Sequence, residues 1–76
     1  MNAKEWLAAF AAQVGTDPPS TEEFKVLLDL AGVAAHSSER VAAPVACWVA
    51  ARAGVPPERA LEIARGIAPV ADEGDG

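Results

Sequence analysis

Three interruptions govern what this chain can become. Gly15 with Pro18-Pro19, then Ser37-Ser38, then Gly54 with Pro56-Pro57 cut the sequence into four short stretches. Each proline biases its predecessor away from helix, and each glycine suits the left-handed position that closes one. Between the breaks, apolar residues recur at helical spacing, and no stretch sustains period-two alternation. Valines are interleaved with alanines, which favours helix over strand. The expected fold is therefore all-α, a compact bundle of four short helices at about 2–14, 21–36, 41–53 and 57–68.

Local chemistry supports these bounds. Asn2 with Glu5, and Ser20 with Glu23, have capping-box spacing, in which side chains satisfy free N–H groups of the first turn. In the first helix Trp6, Phe10 and Val14, with Leu7 beside them, form one apolar stripe. In the second, Phe24, Leu27, Leu28, Ala31 and Ala35 share a face. Pro44 fits the first turn of the third helix, where a missing N–H costs nothing. The apolar face there is Val41, Val45, Trp48 and Val49, continued by Arg52. The fourth helix offers Leu61, Ala64, Ile67 and Ala68 inward, and Glu58, Arg59, Glu62 and Arg65 outward. Residues 1–70 read as a single domain, and 71–76 as a disordered acidic tail without an apolar anchor.

The core available to such a bundle is small. Of 39 hydrophobic residues 18 are alanine, leaving 20 large ones and the lone Cys47. That supports one core and leaves no space for an enclosed reaction chamber. A chain with so thin a core needs well-made helices or a shared surface, so a homo-oligomer is expected. The net charge is −5, of which Asp72, Glu73 and Asp75 supply three units. No basic stripe is present to displace counterions from a phosphate backbone, so nucleic acid is not an expected partner. No apolar run approaches the ~20 residues that span a bilayer, and a membrane partner is not expected either. The first residues carry an acid and a tryptophan where a signal peptide would be uninterruptedly apolar, so the cytoplasm is the expected compartment.

Few residues invite chemistry. Cys47 lies among Val45, Ala46, Trp48 and Val49, an environment that would raise its pKa and make it a small buried hydrophobe rather than a nucleophile. His36 and Cys47 have no companions at metal-ligand spacing, so neither a metal nor another cofactor is expected. Trp6 and Trp48 are read first as buried anchors, with exposure as a contact surface the alternative. Asp29, His36, Glu39 and Arg40 form the one polar concentration, at the junction of helices two and three. It reads either as a charge-assisted brace or as an anion contact.

The same junction carries a family resemblance. Glu5-Trp6-Leu7, Leu27-Leu28-Asp29-Leu30-Ala31 and His36-x-x-Glu39-Arg40-x-Ala42-Ala43-Pro44 resemble a small bacterial family of uncharacterised helical domains. Its members stand alone or resemble a C-terminal appendage of molybdenum cofactor guanylyltransferase, over about residues 2–68 of this chain. The chain lacks that enzyme's glycine-rich nucleotide loop and its metal-binding acids, so no catalytic residue transfers. Cys47-Trp48 departs from relatives that tend to carry Thr and Phe-like residues there. The resemblance implies a setting in molybdenum cofactor biosynthesis or insertion, with an enzyme of that pathway as partner. The expected function is a non-catalytic protein-interaction domain contacting its partner through Asp29, His36, Glu39, Arg40, Pro44 and Trp48. The alternative is a small anion-, nucleotide- or pterin-binding module at the His36–Arg40 corner.

Overall fold

The capping signals set the helix starts. In the computed structural model, which describes residues 1–67, Asn2 Oδ1 accepts from Glu5 N–H at 2.8 Å while Glu5 Oε1 accepts from Asn2 N–H. Ser20 and Glu23 make the same reciprocal pair. These boxes open α1 (Ala3–Val14) and α2 (Thr21–Ser37). Gly15, at φ 96°, closes α1, with its own N–H and that of Thr16 both donating to Ala11 C=O. A β-carbon would be strained at this φ, which is why glycine stands there. At the end of α2 the Ser38 hydroxyl turns back onto Ala34 C=O at 2.8 Å, the competition for backbone groups that ends the helix.

Two shorter helices follow, α3 (Ala42–Arg52) and α4 (Pro57–Arg65). Gly54, at φ 76°, turns the chain between them. Pro57 occupies the first position of α4, where its fixed φ suits a helix start. Among the described residues all regular structure is helical, the all-α four-helix class read from the sequence. The expected tail 71–76 lies outside the described residues.

Packing differs from the expected faces. α2 is the spine, and α3 and α4 both lean on it but scarcely on each other. The core is Val26 and Leu30 of α2 with Ala60 and Leu61 of α4, joined by the partly buried Leu27, Val33, Cys47, Ala50, Val55 and Ala64. Leu30 is 2% exposed, whereas Leu28, expected inward, is 58% exposed. α2 carries two apolar stripes, and its neighbours cover the one through Val26, Leu30 and Val33. Leu28 points about 200° away from Leu30 around the axis.

α3 presents its small residues to the spine. Cys47 and Ala50 face the core, while Val41, Val45, Trp48 and Val49 are exposed. Small side chains let two helix axes approach closely, and the bulky ones are left outside. α1 lies only lightly against the start of α2, with a cleft lined by Lys4, Leu7, Ala8 and Phe24 between them and the Lys4 ammonium 5.3 Å from the Phe24 ring centroid. Its Ala11 is buried, but Trp6, Phe10 and Val14 are exposed, and the two rings stack at 5.1 Å. Both tryptophans are therefore on the surface, not buried anchors.

Candidate functional site

The α2–α3 junction is built by backbone. Asp29 and His36 lie seven residues apart on α2, hence on nearly one face. Glu39 and Arg40 make the turn, and their carbonyls accept from Ala42 and Ala43 N–H at 2.9 and 3.1 Å, which aims α3. All four side chains are exposed. Among the described residues no hydrogen bond or ion pair links them to one another, and the one ion pair, Arg59–Glu62 at 3.1 Å, lies on α4. The charge-assisted brace is thus not formed: backbone bonds and the Ser38 hydroxyl shape the corner.

Beside the corner runs the outer face of α3. Val41, Pro44, Trp48 and Arg52 fall together at helical spacing, and all are exposed. Trp48 is 59% exposed, and the Arg52 guanidinium lies over its ring at 5.2 Å from the centroid. This stacking holds two long side chains in one geometry. Tryptophan and arginine are residue types enriched at binding hot spots, and here the two stand exposed side by side. Of the residues singled out from the sequence, Pro44 and Trp48 share this face, and His36, Glu39 and Arg40 border its N-terminal end.

Cys47 is turned from this face toward α2, half-buried against the core, and burial pushes its thiol above the ordinary value. A raised thiol pKa is the reverse of what a nucleophile needs. Among the described residues no three metal-ligating side chains gather. No helix there is long and apolar enough to cross a membrane.

A second feature was not foreseen. Because α3 and α4 pack mainly on α2 and scarcely on each other, an open groove of about 440 Å³ runs between them. Leu30 forms its floor, Val45 and Val49 one wall, and Ile63 and Ile67 the other, with alanines between. Every lining side chain is apolar. The legible signal was the segregation in α3: alanine and cysteine at 43, 46, 47 and 50, and valine or tryptophan at 41, 45, 48 and 49. Only the small side can meet the spine closely, so the bulky residues must border open space.

No curated protein and no solved structure matches the chain. A family model does, over residues 1–73, nearly its whole length. The junction and the α3 face lie within that span, and the chain belongs to the family described as a domain of unknown function, DUF6457.

Proposed function

We propose that the chain is a non-catalytic protein-interaction domain whose partner is engaged by the outer face of α3 and the adjoining His36–Arg40 corner. The stacked and exposed Trp48–Arg52 pair carries this reading, supported by Val41 and Pro44 on the same face. A Trp with its stacked Arg would fill a pocket on the partner, while Glu39, Arg40 and His36 would supply a polar rim. The partner we propose is molybdenum cofactor guanylyltransferase or another enzyme handling that cofactor. This part rests on the sequence resemblance of the Leu27–Ala31 and His36–Pro44 stretches to bacterial domains that stand alone or follow that enzyme.

The test is a calorimetric titration of the domain with the purified guanylyltransferase from the same cell. Saturable binding is expected, with affinity falling at least tenfold in Trp48→Ala and several-fold in Arg40→Ala. Glu58→Gln, on the far side of α4, should bind like the wild type. Binding unchanged by Trp48→Ala would remove the α3 face. No heat and no complex at high micromolar concentration would remove the proposed partner.

A further inference from the structure

The chain exposes two apolar surfaces of opposite shape. On α1, Trp6, Phe10 and Val14 make a convex ridge at i, i+4 and i+8, and the stacking of Trp6 on Phe10 stiffens it. Between α3 and α4 lies the concave groove walled by Val45, Val49, Ile63 and Ile67. We propose that these surfaces fit each other between two copies of the chain, each α1 ridge seating in the groove of its partner. Such an exchange is two-fold symmetric: the ridge of one copy meets the groove of the other, and the reverse holds.

Size supports this occupant. The ridge from Trp6 to Val14 covers eight residue steps, roughly 12 Å at 1.5 Å each, and fits within the roughly 16 Å from Ala42 to Ala53 along the α3 side. Half-exposed Trp, Phe and Val on the ridge and four half-exposed Val and Ile on the walls present on the order of 700 Å² per chain, near the ~800 Å² per partner of a standard stable interface. An amphipathic helix with anchors at these intervals in an apolar groove is a recurrent recognition mode. The chain's own α1 lies at the start of α2, its Lys4 over Phe24 beyond the stiff Pro18-Pro19 connection, and its ridge is exposed. The core also leaves the need unmet: its buried members are Val26, Leu30, Ala60 and Leu61, all small or medium in size.

Sedimentation equilibrium from micromolar to millimolar concentration tests the fit, on the full chain and on two variants, Phe10→Glu in the ridge and Val49→Glu in the groove. Both substitutions are at exposed positions, so each variant should keep its monomer fold, checked by far-ultraviolet circular dichroism. The wild type should dimerise, and each variant alone should dissociate at least a hundredfold more readily. An equimolar mixture of the two variants should recover part of the association, because one intact ridge still finds one intact groove. In Trp48→Phe, which leaves Trp6 as the only tryptophan, emission should shift to the blue as dimer forms. A wild type monomeric at millimolar concentration would overturn the proposal. So would dimers that persist in Phe10→Glu, which would place groove on groove or fill the groove from residues 68–76. Dimers that persist in Val49→Glu would mean ridge on ridge and overturn it equally. Trp48 lies outside the groove lining, so loss of partner binding in Trp48→Ala with dimerisation intact would separate this inference from the preceding one.

Discussion

Leu28 and Leu30 show how much of a fold can turn on two positions. Both are leucines on one helix, and hydropathy treats them alike, yet one is exposed and the other is the most buried residue of the core. Leu30→Ala should therefore lower stability by about 2–4 kcal/mol through lost transfer energy and the cavity left behind. Leu28→Ala should stay within about 0.5 kcal/mol, as exposed substitutions generally do. Urea denaturation followed by circular dichroism checks both, and a larger loss in Leu28→Ala than in Leu30→Ala would show that the other stripe of α2 is the packed one. Cys47 gives a second test. Burial raises its folded-state pKa, so the folded protein holds the thiol proton to higher pH than the unfolded chain does. Its contribution to stability is complete below the unfolded thiol value of about 8.5 and is lost as pH rises through the folded value. The urea midpoint of the wild type should fall further between pH 8 and 10 than that of Cys47→Ala. Alkylation at neutral pH should be slow until denaturant is added. An equal fall in the two proteins would assign the loss to other groups.

At the level of the helix, the two N-terminal boxes were legible because capping is local. The side chain, the N–H it accepts and the returning carboxylate lie within four consecutive residues, so spacing alone determines the contact. The same holds for Gly15 and Gly54, where a positive φ excludes most other residues. Ser20→Ala should cost about 1 kcal/mol, measured by thermal or urea unfolding, by leaving the Glu23 N–H without its acceptor. Thr21→Ala, one residue into the helix, makes none of the capping bonds and serves as the control; a comparable loss there would deny the cap its role. The inward face of α3 was not legible. Its large residues form the more conspicuous stripe, and a hydrophobic pattern marks conspicuous stripes as buried. Close approach to α2 instead favours Cys47 and Ala50, whose small side chains bring the axes together.

For the whole molecule, the consequence is a thin core flanked by a ridge and a groove, with the Trp48–Arg52 face beside them. If the ridge and groove close on a second copy, the melting temperature should climb with protein concentration, because mass action stabilises whatever only the folded state can bind. The candidate site was partly legible: Trp48 and Pro44 do share an exposed face next to His36–Arg40, while the expected bracing of that corner by its own side chains is absent. What the sequence by itself determined is the number of helices, their class and most of their ends, α4 closing at Arg65 instead of the expected 68, since propensity, caps and turn residues act over a few neighbouring positions. The tertiary structure decided which stripe of each helix is core and which is surface. A chain holding more amphipathic faces than its core can bury offers several self-consistent packings, and only the arrangement of helices around α2 selects among them.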